Sequence, residues 1–169
     1  MSSRVEKVKD QYGLMERILS YIPGYRGYKE KEVRRETDRL VRMAASSRLK
    51  KALDNVREAL SKVPVSGSDR ELADRVVIRL DMVKQKTERA VAGYAGLFDV
   101  VKVREDRLDQ LLEHDEKLIT SAEGILQQSL AIKGASSPDE LRSGLRQLLD
   151  SIEGYGELLE RRNEIINQL

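Results

Sequence analysis

The chain has 169 residues, 36% of them charged and 4% aromatic, with no Cys and no Trp. That composition resembles coiled coils and long-helix proteins, suits one domain with a sizeable core, and excludes disulfides, thiolate zinc sites and a cysteine nucleophile. The formal net charge of +2 conceals an asymmetry: residues 1–62 carry 16 Lys and Arg against 9 Asp and Glu, the remainder 15 against 20. A basic third joined to an acidic remainder implies internal complementarity or an anionic partner for the front end.

Residues 4–22 place Val5, Val8, Tyr12, Met15, Leu19 and Ile22 at 3,4 spacing with charges between them. This predicts a short amphipathic helix. It should end in a turn at Ile22-Pro23-Gly24-Tyr25-Arg26-Gly27-Tyr28, where Pro lacks an amide donor and Gly admits positive φ. A second helix is predicted from about Lys29 to Val63. Its stripe runs through Val33, Thr37, Leu40, Val41 and Ala44. The stripe then steps by one residue to Ala45, Leu49, Ala52, Val56, Leu60 and Val63. Pro64-Val65-Ser66-Gly67-Ser68-Asp69 is a loop, with Ser68 or Asp69 suited to cap the next helix and Glu71 favourable in its first turn.

From Ala73 to Ile132 an apolar heptad persists almost unbroken, through Val76, Leu80, Val83, Thr87, Ala90, Tyr94, Leu97, Val101, Leu108, Leu111, Leu118, Ala122 and Ile125. Such spacing keeps one side of a helix against a partner helix. Residues 70–132 therefore form either one rod about 90 Å long or two helices. Gly93 and Gly96, each costing roughly 1 kcal/mol inside a helix, and the alternating Val100-Val101-Lys102-Val103 favour a helix end near Phe98, a turn at Asp99–Val103 and a restart near Arg104. Gly134 suits a C-terminal cap. Ser137 with Glu140 makes a capping box with Pro138 at the first helical position. The last helix carries Leu141, Leu145, Leu148, Ile152, Tyr155, Leu159, Ile166 and Leu169.

These elements predict an all-α domain over residues 1–169: an N-terminal helix and PGYRGY turn (1–28), then an antiparallel up-down-up-down four-helix bundle (29–169). With no apolar run of about 18 residues and no secretory segment, the expected protein is soluble and cytoplasmic.

Candidate sites are few. Tyr12, Tyr21, Tyr25 and Tyr28 are four of only seven aromatics, and Arg26 sits among them. Exposed, they suit a docking hot spot or base stacking; buried, they pack the first helix on the bundle. The turn is no phosphate loop, since no GK[ST] follows. From Arg26 to Lys51 there are ten Lys and Arg against four Asp and Glu. Lys31, Arg35, Arg39 and Arg42 line up opposite the apolar stripe, as a cationic face for phosphates or as a solvated face with i,i+4 pairs such as Glu30–Arg34 and Asp38–Arg42.

The single His lies in Glu113-His114-Asp115-Glu116. Position 111 is Leu, and His114 falls off the apolar stripe, so the Glu-x-x-His pattern of di-iron bundles is missing. No metal or other cofactor is expected, and no Ser/His/Asp grouping supplies a nucleophile. Asp115 is the more unusual residue, because it occupies a core position between Leu111 and Leu118. A buried carboxylate needs a donor; Thr87 and Arg104 are similar intrusions. Register-fixing polar pairing, exposure at a bundle edge and a polar interior pocket are the alternatives.

The strings Tyr21-Ile-Pro-Gly-Tyr-Arg-Gly-Tyr-Lys-Glu-Lys-Glu-Val-Arg-Arg-Glu-Thr-Asp-Arg-Leu-Val-Arg42 and Gly96-Leu-Phe-Asp-Val-Val-Lys-Val-Arg-Glu-Asp-Arg-Leu-Asp109 resemble segments of a family of prokaryotic helical proteins without an assigned activity. The resemblance implies a connector at Asp99–Val103 and no ligand. The sequence thus reads as a non-enzymatic interaction module. It docks a partner protein, or a second copy, through Tyr21, Tyr25, Arg26, Tyr28, Lys31, Arg35, Arg39 and Arg42. A nucleic acid bound by the basic face of residues 26–51 is the alternative. No small-molecule substrate and no membrane span are expected.

Overall fold

The computed structural model describes residues 13, 16–18, 20, 30–90 and 105–167, with the backbone alone defined at 30–38, 105–109 and 167. Among these residues every regular element is a helix, and the helices pack against one another. The expected PGYRGY turn and the Gly93–Val103 segment lie outside the described residues.

Helix α1 spans Glu30–Lys62. Its buried apolar positions are Val41, Ala44, Ala45, Leu49, Ala52, Leu53, Val56 and Ala59. The predicted sideways step at Ala44–Ala45 therefore appears as two adjacent buried alanines, whose small side chains let two neighbouring helices approach. Val63 still donates to the Ala59 carbonyl at 3.0 Å, and Pro64, without an amide hydrogen, stops the helix. Gly67 then adopts φ 55°, ψ −133°, a conformation open to glycine alone. Its carbonyl receives the Arg70 amide at 3.1 Å, and helix α2 runs Ser68–Arg89.

Two expectations about α2 are corrected. Neither Ser68 nor Asp69 caps it: the N-cap is Gly67, with no side-chain cap bond. Asp69 instead accepts both Arg142 Nε (2.6 Å) and a second Arg142 guanidinium nitrogen (2.7 Å) from a neighbouring helix. The helix also stops at Arg89 rather than near Phe98, because Ala90 is extended (φ −58°, ψ 145°). An unbroken rod through residues 70–132 is thereby excluded.

Helix α3 runs Glu105–Lys133 and helix α4 Pro138–Asn167. At their junction the Gly134 amide points to the Leu130 and Ala131 carbonyls (3.2 and 3.1 Å). Gly67 is the only positive-φ glycine among the described residues, so this end is not the left-handed glycine cap. The capping box forms in shifted form: Ser137 Oγ accepts the Glu140 amide at 3.3 Å, but Glu140 reaches back to the amide of Ser136 (2.9 Å) rather than that of Ser137.

Each of the four helices packs on two others: α1 on α2 and α3, and α4 on α2 and α3. Arg48–Glu123, Asn55–Ser129 and Lys133–Glu58 contacts advance together along α1 and α3, so these neighbours run parallel. Asp69–Arg142 and Thr87–Tyr155 do the same for α2 and α4. The short turns make α1/α2 and α3/α4 antiparallel: Arg42 meets Glu88, and Asp115 meets Arg162. Consecutive helices α2 and α3 are therefore not side-by-side neighbours. The core between the four comprises Leu49, Val56, Val76, Leu80, Leu118, Ile125, Leu145, Ile152 and their surroundings. Residues 16–18 are helical, with Ile18 fully buried and Arg17 Nε 2.7 Å from Glu116 on α3. No described helix is long and apolar enough to cross a membrane.

Candidate functional site

Of the residues singled out for docking, Tyr21, Tyr25, Arg26 and Tyr28 lie outside the described residues, and Lys31 and Arg35 are placed by backbone alone, on the first turns of α1. Arg39 is exposed. Arg42 departs from the expected solvent-facing stripe: it is half-buried at the α1–α2 seam, where its guanidinium donates to the Glu88 carbonyl at 3.3 Å. That carbonyl belongs to the last turn of α2, where a cation is favourable. Ser46 Oγ donates to the Glu88 carboxylate at 2.8 Å, tying the same seam.

The cationic face is instead continued further along α1. Arg39, Lys50, Lys51 and Arg57 are all exposed, and none is within ion-pair distance of a carboxylate among the described residues. Cations at the helix seams differ: Arg48 grips Glu123 at 2.6 Å, Arg142 grips Asp69, and Lys133 reaches Glu58 at 2.8 Å. These contacts hold the carboxyls below their ordinary range, Asp69 through Arg142 and Glu58 through Lys133 and then Lys62.

A second constellation lies inside the helices. Asp115 and Arg162 are both fully buried, with Nε 2.7 Å from Oδ1. This is the donor that the sequence demanded for Asp115 and did not locate. A signal was present, since Arg162 sits on the final helix's own heptad between Leu159 and Ile166. Thr87 and Tyr155, also fully buried, meet at 2.8 Å. Thr87 directs its one hydroxyl hydrogen to the Val83 carbonyl (2.7 Å), so the Tyr155 phenol is the donor between them. Burial pushes that phenol up, and it stays protonated. Buried Ser129 completes the set: Asn55 donates to its hydroxyl at 3.0 Å across the α1–α3 seam.

His114, next to Asp115, is half-buried; its Nε2 meets no partner among the described residues. Burial, then the charge of Lys117, lowers its pKa from the usual 6.5, while Asp115 and a hydrogen bond to the main chain of Leu158 oppose that shift. A cleft of about 470 Å³ opens between α2 and α4, lined by Met82, Gln85, Lys86, Arg89, Leu159 and Asn163. Among the described residues no group of three His, Cys, Asp or Glu side chains is arranged to hold a metal ion.

The chain matches no family model, no curated protein and no solved structure.

Proposed function

We propose that this protein is a non-enzymatic interaction module. Its scaffold is a four-helix bundle, antiparallel within α1/α2 and α3/α4 but parallel within α1/α3 and α2/α4, instead of the expected all-antiparallel ring, with an additional N-terminal helix. It docks a partner protein through the aromatic and basic N-terminal end and the adjoining face of α1. The observation that carries this reading is the contrast among cations. Those at the seams have partners, carboxylates for Arg48, Arg142 and Arg162 and the Glu88 carbonyl for Arg42, whereas Arg39, Lys50, Lys51 and Arg57 stand exposed on one helix without an ion-pair partner among the described residues, as Arg75, Arg79 and Arg89 do on α2. Exposed charge of one sign on a long helix steers and orients an oppositely charged partner. Tyr21, Tyr25, Arg26 and Tyr28 precede that helix in sequence and are the residue types that dominate protein interfaces.

The test compares capture of partners from native lysate by the wild-type chain, by Tyr25→Ala/Tyr28→Ala and by Arg39→Glu/Lys50→Glu/Arg57→Glu. Specific partners should be lost with both variants. Unchanged capture by both, or by a chain lacking residues 1–28, ends the proposal.

A second reading is nucleic-acid binding through Tyr25, Arg26, Tyr28, Lys31, Arg35 and Arg39, without Arg42, which is turned to the α1–α2 seam. Phosphate contacts would make such binding strongly salt-dependent. A gel-shift titration decides it, and no retardation at micromolar protein and low salt removes this alternative.

A further inference from the structure

Helix α4 carries a ridge that complements α1. Asp150, Glu153, Glu157, Glu160 and Glu164 recur at alternating spacings of three and four, and all five are exposed. At 1.5 Å per residue they form an acidic line about 21 Å long. Only Glu160 has an ion-pair partner among the described residues, Lys86 at a loose 3.6 Å with both side chains exposed. The buried stripe Leu145, Leu148, Ile152, Tyr155 and Leu159 occupies the opposite side of the helix, so the carboxylates cannot turn inward.

On α1, Arg39, Lys50, Lys51 and Arg57 extend over about 27 Å, with Asp54 the one exposed carboxylate among them. The two lines are opposite in sign, each interrupted by one exposed group of the other charge, Asp54 on α1 and Arg161 on α4. They cannot neutralise one another within a molecule, because α1 and α4 each pack on α2 and α3 instead of on each other. Two complementary ridges, unpaired among the described residues apart from the loose Glu160–Lys86 contact, find each other only between chains.

We infer that the partner met by the α1 face is a second copy of this chain, presenting the Asp150–Glu164 ridge of its α4. This rests on the docking reading above and names the occupant of that face. Exposed ion pairs contribute little singly, so the association is weak, depends on several pairs acting together and is screened by salt.

Sedimentation equilibrium of the full chain over a range of concentrations tests it, at about 25 mM and about 300 mM salt. At low salt the weight-average mass should climb above 19.2 kDa with concentration, and at high salt it should return to that of one chain. Glu153→Lys/Glu157→Lys/Glu160→Lys and Lys50→Glu/Lys51→Glu/Arg57→Glu should each stay at single-chain mass. An equimolar mixture of the two should assemble, because one then offers two basic ridges and the other two acidic ones. Helical circular dichroism monitors folding; Glu153→Gln/Glu157→Gln/Glu160→Gln replaces the α4 reversal variant, and Lys50→Gln/Lys51→Gln/Arg57→Gln the α1 one, if either loses it. A wild-type chain that remains single at low salt, or assembly indifferent to the α4 variant, overturns the inference. If the chain stays single while Tyr25→Ala/Tyr28→Ala still abolishes capture, this inference alone falls. If the charge-swapped mixture assembles while capture ignores every N-terminal variant, the wider docking reading falls instead.

Discussion

Asp115 and Arg162 form the one described ion pair from which both side chains are wholly withdrawn from solvent. Attraction between such charges offsets their desolvation only when the pair is intact. Arg162→Met or Asp115→Ala should therefore each lower unfolding stability by about 3–5 kcal/mol, while Asp115→Leu/Arg162→Met should cost less than either. Urea denaturation of the three variants measures this, and single variants within 1 kcal/mol of wild type would show the pair to be unimportant. Asp115 was legible in the sequence as a misfit on a heptad. Arg162 was not, because a long basic side chain on a stripe reads as a surface residue with a buried stem until its partner's depth is known. His114 gives a separate pH signature. Its folded pKa lies below 6.5, so the unfolded chain takes up the proton first. The associated stability is present above about pH 6.5 and declines as pH falls through that value toward the folded pKa. The depressed Asp69 and Glu58 carboxyls act in a lower window, below about 4.5. Between pH 7 and about 5.5, wild type should lose stability more steeply than His114→Gln; parallel curves in that interval would refute the assignment.

At the level of the helices, the 3,4 stripes were readable because burial on one side of a helix imposes that period on the sequence. Leu53, Ala59, Leu112 and Ile119 are buried beside those stripes. They widen the buried faces of α1 and α3 beyond a single seam, whereas the buried residues of α2 keep to one stripe. Terminations were harder to read. Pro64 and Gly67 marked one end correctly, yet Asp69, a good cap by type, is held by Arg142 across the seam with α4. Such competition between a local cap and a tertiary partner leaves no local trace. Close approach is likewise invisible in the sequence: a Cβ added at Gly144 would lie 2.7 Å from Ile132 Cγ1 at the α3–α4 seam, whereas one added at Gly154 meets nothing within 4 Å. Gly144→Ala should destabilise by about 1–3 kcal/mol, and in an Ile132→Ala background the same change should cost far less. Gly154→Ala should stabilise by roughly 0.5–1 kcal/mol through helix propensity alone. Thermal unfolding of the four variants separates these effects; equal penalties at the two glycines would contradict the packing described.

For the molecule as a whole, helix number and helical class followed from periodicity, but the order of neighbours did not. Short turns force α1 against α2 and α3 against α4, and the sequence showed both turns. Nothing in a heptad says which seam faces which helix, since Leu, Val and Ala pack against any apolar partner. The choice is made by polar side chains matched at a distance. Arg48 with Glu123, Asn55 with Ser129 and Lys133 with Glu58 lock α3 alongside α1, and Arg142 with Asp69 and Tyr155 with Thr87 lock α4 alongside α2. In a ring that followed chain order, α1 would instead flank α2 and α4, and the chain's lack of cysteine makes the difference easy to read. Asn55→Cys/Ser129→Cys should be joined within one chain by a short thiol-reactive linker. Asn55→Cys/Gln147→Cys, at a similar height on α1 and α4, should not, because those helices stand across the core from each other. Denaturing gel mobility and peptide mass analysis report the result. Efficient linking of the second pair and none of the first would mean that the polar matches do not set the neighbours, and that α4 lies beside α1, close enough for the acidic and basic ridges to neutralise each other within a single chain.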